Sequence, residues 1–110
     1  MTSPKDKGDA GEAAYARQVA QDGGFAFPLS PAFASADLLV LRPSGRWELV
    51  EVKAWKRKIN PATLAYAQTT LHGHRRSVPA RWRRSMSLVF IHAVKGEDGA
   101  YRFAETWRFP

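Results

Sequence analysis

Two acids in this 110-residue chain stand where acids seldom do. Asp37 opens the apolar run Ala36-Asp37-Leu38-Leu39-Val40-Leu41, and Glu51 lies inside Trp47-Glu48-Leu49-Val50-Glu51-Val52-Lys53-Ala54-Trp55. Asp and Glu are poor strand residues, and an unpaired charge among Leu and Val is costly. An acid in such a place wants a cation. Side chains alternate along a strand, so Glu51 and Lys53 project to one face and Val52 to the other. Pro43-Ser44-Gly45 reads as a turn, and a hairpin closed there sets Asp37 opposite or diagonal to the Glu51–Lys53 stretch. Two carboxylates and an ammonium then meet in one small volume. Carboxylates, a backbone carbonyl and waters are the ligands that Mg²⁺ takes. The metal would neutralise charge on a scissile phosphate and lower the pKa of a bound water. The lysine would orient or deprotonate the attacking water, or stabilise the transition state. Phosphodiester hydrolysis needs these parts and no organic cofactor. The competing structural reading is a buried Glu51–Lys53 ion pair with Asp37 capping a strand end.

The elements that must position these residues follow from periodicity and turn chemistry. Residues 6 to 21 are good helix formers, with Ala13, Ala16, Val19 and Ala20 at helical spacing and Gly23-Gly24 as a stop. Residues 24 to 29 read as a short strand with Phe25 and Phe27 on one side, and residues 30 to 35 as a loop. Strands over 36 to 42 and 46 to 55 form the hairpin. Pro61 suits the first turn of a second helix, which is expected to run to about His72. An arginine-rich connection over 73 to 84, interrupted by Pro79, leads to an apolar strand over 86 to 94. A turn at 96 to 99 and a last strand over 101 to 108 complete the chain. The expectation is one α/β domain over residues 1 to 110, a mixed five-stranded sheet flanked by helices in the order α-β-β-β-α-β-β.

Charge adds a partner. Seventeen Lys and Arg against ten Asp and Glu give a net +7. No acid lies between Glu51 and Glu97, whereas Lys53, Lys56, Arg57, Lys58, Arg75, Arg76, Arg81, Arg83, Arg84 and Lys95 all fall there. Such a field suits a polyphosphate, and Trp55 and Trp82 within it can stack on bases or pack on sugars. A solvated face kept for solubility is the alternative. The absence of cysteine excludes disulfides and a Cys-ligated zinc site. No apolar leader or membrane-length run is present, which gives the expectation of a cytoplasmic protein, or one of the host cytoplasm if phage-encoded. No phosphate-binding Gly-x-x-x-x-Gly-Lys loop exists, so no nucleotide cofactor is expected. His72-Gly73-His74 lacks a third ligand for zinc.

In this pattern of acids and lysine the chain resembles the PD-(D/E)XK nucleases, in which an acid on one strand and an acid-x-lysine on the next form the metal site. Here these are Asp37 and Glu51-Val52-Lys53. The likeness is closest to the archaeal-type Holliday junction resolvases. Those begin with Lys-Gly and a helix glutamate four residues later, matched by Lys7-Gly8 and Glu12, and continue through a Gly-Phe strand, matched by Gly24-Phe25. A serine-containing loop follows, then the Asp-Leu and Glu-Val-Lys strands. The likeness covers roughly residues 7 to 55. It implies a restriction-endonuclease-like core and Mg²⁺, with Mn²⁺ able to substitute. Asp37, Glu51 and the Val52 carbonyl would be metal ligands, Lys53 the catalytic lysine, and Glu12 an aid to the metal through water or at a second metal. Ser35 or Ser30 would match the loop serine. Lys7 and Ser35 would touch DNA, with Arg17 in place of an arginine that the resolvases carry directly after the helix glutamate; this chain has Ala13 there. A two-fold homodimer acting on four-way DNA junctions is implied as well. The five arginines of residues 73 to 84 have no counterpart in that family.

Overall fold

The computed structural model describes residues 4–29 and 37–110, with residues 4–9 described as backbone only. The order is α1 (Pro4–Gln21), β1 (Phe25–Pro28), β2 (Leu38–Leu41), β3 (Trp47–Ala54), α2 (Pro61–Arg76), α3 (Ala80–Arg83), β4 (Met86–Lys95) and β5 (Tyr101–Phe109). The strands form one sheet in sequence order. Strands β3 and β4 are parallel and the other pairs antiparallel. The parallel pair needs a crossover, and α2 supplies it. The expected mixed five-stranded sheet flanked by helices is therefore present.

Burial divides the sheet into two faces. Val40, Val50, Val52, Val89, Ile91 and Ala93 pack with Tyr15 and Val19 of α1 on one face. Leu49, Met86 and Leu88 pack with Leu71 of α2 on the other. The α1 stripe differs from the alanine pattern expected from sequence: Gly11, Tyr15 and Val19 are buried, whereas Ala13 and Ala20 are exposed and Ala16 is half-buried. The reason is close approach. A Cβ at Gly11 would lie 3.2 Å from the Ala54 Cβ, so the helix sits on β3 at its smallest residue. Gly23, at φ 87°, ends the helix with its N–H on the Ala20 carbonyl, and Gly24 donates to that of Val19. This is the left-handed stop that glycine supplies without strain.

Turn chemistry sets the hairpin register. The Arg42 N–H donates to the Arg46 carbonyl around Pro43-Ser44-Gly45, with Gly45 at φ 87°. From there Leu41 pairs with Trp47 and Leu38 with Val50. Helix α2 starts as its sequence dictates, with Pro61 in the first turn and the Asn60 side chain accepting from the Thr63 N–H at 2.8 Å. It ends a turn later than expected. Gly73 lies inside it with nothing within 4 Å of the place a Cβ would take, so a glycine there carries no stop. The supposed connection over 73 to 84 is thus the last turn of α2 and the single turn of α3 after Pro79. Among the described residues no helix is long and apolar enough to cross a membrane.

Candidate active site

The hairpin brings Asp37 to the place its spacing foretold. One step beyond the Leu38–Val50 pair, the Asp37 N–H donates to the Val50 carbonyl at 2.9 Å. Its carboxylate then turns across and accepts from the Val52 N–H at 2.7 Å. In a strand the N–H and C=O of one residue point to the same edge. The Val52 carbonyl therefore opens on the side where Asp37 stands, past the end of β2, while its side chain is buried under α1.

Glu51 projects to the α2 face at the same level, half-buried, and its Oε2 is enclosed without a hydrogen-bond partner. Burial pushes the Glu51 carboxyl up to about 7; the Asp37 charge adds to the rise and Lys53 opposes it. Glu51 makes no ion pair among the described residues. The reading of Glu51 and Lys53 as a buried salt bridge is thus not what the structure contains. An orphaned carboxylate oxygen beside a second carboxylate and an outward carbonyl is a hard-oxygen donor set, and it fits Mg²⁺ completed by waters. Among the described residues no group of three or more His, Cys, Asp or Glu side chains is gathered to hold a metal. The fit therefore rests on two carboxylates and the carbonyl.

Lys53 is poised by aromatic packing. Its Nζ lies 4.4 Å from the centre of the Trp55 ring, and the Arg57 guanidinium 4.2 Å from the same ring. Trp55, read from sequence as a surface for bases, is thus occupied by two cations of its own chain. His92, opposite Lys53 on β4 and 4 % exposed, fixes the base of this arrangement. Its Nε2 donates to the Trp55 carbonyl at 2.8 Å, which leaves the buried Nδ1 without a partner. A bulge between β4 and β5 falls at this level, where His92 pairs with Glu105 and Ala93 with Phe103. Nothing in the sequence around His92 points to this contact with a residue 37 positions away.

Glu12 is half-buried on α1, next to Gly11 and hence beside the end of β3 that carries Val52 and Ala54. The remaining basic residues separate into groups. Lys56, Arg57 and Lys58 are exposed in the segment that leaves β3. Arg17 lines, with Lys95, a cavity of about 390 Å³ between α1 and the β4–β5 turn. Arg75, Arg76, Arg83 and Arg84 surround another of about 340 Å³ together with His72. Arg81 stacks on Trp82 at 5.6 Å. Ser30 and Ser35 lie outside the described residues, as does the Lys7 side chain.

One acid escaped sequence reading. Glu48 is 1 % exposed, on the α1 face of β3. Arg42 Nε donates to it at 2.9 Å and Arg108 Nη1 to its other oxygen. Arg42 also donates to the Tyr15 hydroxyl at 2.7 Å. Both Glu48 oxygens are satisfied, so this carboxylate braces the sheet against α1, unlike the orphaned one three residues on.

No family model, curated protein or solved structure matches the chain.

Proposed function

We propose that the chain is a Mg²⁺-dependent DNA endonuclease of the PD-(D/E)XK type with a restriction-endonuclease-like core, and that it resolves four-way junctions as a two-fold dimer. The observation that carries this reading is the edge of β3. Asp37 reaches across the end of β2 to Val52, the Val52 carbonyl opens beside it, and Glu51 Oε2 stands enclosed with no partner. A purely structural acid finds partners, as Glu48 does.

Asp37, Glu51 and the Val52 carbonyl would hold the metal, which supplies charge neutralisation at the phosphate and a more acidic water. Asp37 keeps its oxygen in place through the Val52 N–H. Lys53, held against Trp55, offers its ammonium to the attacking water or to charge developing on the phosphate. Trp55 restrains that long side chain, and His92 restrains Trp55. Glu12 would position water at the α1 side. Lys56, Arg57 and Lys58 leave β3 beside this centre and would take the flanking strand of branched DNA.

The dimer finds support on β1. Phe25 and Phe27 are 62 % and 46 % exposed and stack at 6.5 Å. Phe27 pairs with Leu39, which with Trp47, Trp82, Ser85 and Met86 lines a mostly apolar hollow of about 290 Å³. Apolar surface of this kind fits a second copy.

The deciding experiment is cleavage of a labelled four-way junction beside a linear duplex of the same sequence, in Mg²⁺ and in EDTA. Paired, metal-dependent nicks confined to the junction are expected. Cutting of the duplex as well would make the chain another nuclease of that superfamily, for repair, flap or restriction-like cleavage. Binding with no cutting would leave a silent DNA-binding module.

A further inference from the structure

The cavity between the end of α2 and α3 is the second place where side chains converge without an explanation inside the chain. Four guanidinium groups and one imidazole line it, and no acid lies in the sequence between Glu51 and Glu97 to balance them. Two of the four are spoken for. Arg75 Nη2 lies 3.0 Å from the Pro110 main-chain oxygen and 2.9 Å from His72 Nδ1, which accepts from it. Arg83 Nε donates to the Val78 carbonyl at 2.8 Å. These bonds fix the walls. Arg76 and Arg84 are exposed, and among the described residues neither has an ion pair or a side-chain hydrogen bond. His72 accepts a proton less readily than usual, through burial and the neighbouring Arg75 and Arg76 charges. Cations at a helix C-terminus complement its dipole, which accounts for Arg75 and Arg76. It does not account for Arg83 and Arg84 arriving at the same hollow from α3.

We propose that this cavity seats one backbone phosphate of DNA, gripped by the Arg76 and Arg84 forks, remote from the phosphate that is cut. Guanidinium forks match phosphate oxygens in pairs, and the fixed Arg75 and Arg83 hold the cavity open for them. The placement follows from the crossover. Strand β3 leads up to Lys53 and Trp55, and α2 runs back along the sheet to where β4 begins opposite Trp47. Trp47 is four residues from Glu51 along β3, so the cavity lies roughly 13 Å along the sheet from Glu51, and the step from the sheet to α2 adds to that. That distance spans at least about four base steps along a strand. The spacing to a cut rests on the nuclease reading; the phosphate site does not.

Anisotropy of a labelled 30-base-pair duplex in EDTA, over a salt series, tests the site without any cleavage. The double variant R76Q/R84Q should bind at least tenfold more weakly, with a salt slope reduced by about one, for the one phosphate released. R76K/R84K should keep the slope and lose affinity several-fold, because an ammonium keeps the charge but not the fork. R102Q, an exposed arginine on β5 away from the cavity, should leave the slope unchanged. Both cavity side chains are exposed, so the melting temperature should hold. An R76Q/R84Q slope equal to that of the wild type, or a loss no greater than that of R102Q, would overturn the proposal. So would loss on phosphatidylglycerol vesicles with none on DNA, which would assign the cavity to a lipid surface. In Mg²⁺, a scan of single methylphosphonates should find one sensitive phosphate at least about four steps from the cut, and R76Q/R84Q should be indifferent to it. Absence of such a position in a cleaving enzyme refutes the spacing. Absence of any cleavage refutes the nuclease reading alone, and the anisotropy result still decides the phosphate site.

Discussion

At Glu51 burial and the Asp37 charge hold a carboxyl up to about 7, against the pull of Lys53. The ordinary value is 4.5, so the folded chain binds a proton that the unfolded chain has released between those two pH values. The resulting stability is fully present below 4.5 and is lost as pH rises through 7. Glu51→Gln should therefore melt higher than the wild type at pH 8, by up to about 3 kcal/mol less any screening through solvent, and the gap should close by pH 4. Calorimetry at the two pH values checks it. Mg²⁺ binding at the proposed site would displace the same proton, so apparent Mg²⁺ affinity should rise about tenfold per unit up to pH 7 and then level off. A flat titration between pH 5.5 and 7 would remove Glu51 from the metal site. Asp37→Asn and Glu51→Gln should each abolish cleavage while DNA is still bound; wild-type cutting by either would sink the assignment. The Asp37, Glu51 and Lys53 set was legible because acids inside apolar runs are conspicuous. Glu48 was not, although it is the more buried: in Trp47-Glu48-Leu49-Val50-Glu51 two acids on opposite faces look alike, and Arg108 is 60 residues away.

Among the elements, β3 carries both carboxylates, one to each face of the sheet. Glu48 serves α1 and the sheet end through Arg42 and Arg108, and removing it strands two cations that bury part of their length there. Glu48→Ala should cost about 3–5 kcal/mol, with cleavage by the folded fraction at low temperature unchanged. Denaturant melts and an initial rate at 15 °C separate the two effects; a rate loss exceeding the unfolded fraction would make Glu48 more than a brace. The strands and both long helices were legible from their periods and turn residues. Two features were not. The buried stripe of α1 depends on how near β3 lets the helix come, and a glycine was the contact. The end of α2 depends on packing of Leu71 and on the Ser77 cap, which outweigh the modest cost of Gly73.

For the whole molecule, the two helices cover opposite faces, but α2 lies over β3 and β4 and leaves the Phe25–Phe27 side of β1 exposed. Phe25→Asp with Phe27→Asp should convert a dimer into a monomer in sedimentation or light scattering, with the circular dichroism spectrum kept. If the wild type is itself a monomer at micromolar concentration, that face serves something else. Where the double variant does break a dimer, paired cutting of a junction should be lost while single nicks persist. Sequence alone offered only a resemblance for the dimer, since Phe25 and Phe27 alternate as any half-buried strand does.

The Asp37 carboxylate also occupies a backbone donor that would otherwise face outward where β2 stops short of β3. A bare stretch of strand is a template on which a neighbouring molecule can add its own, and proteins guard such places with charge. Asp37 is that guard as well as a proposed ligand. Asp37→Ala, inactive on the proposed reading, should therefore clump on storage, whereas Asp37→Asn, which still accepts from Val52, should stay dispersed. Turbidity at matched concentration would distinguish loss of the proposed cleavage from self-association.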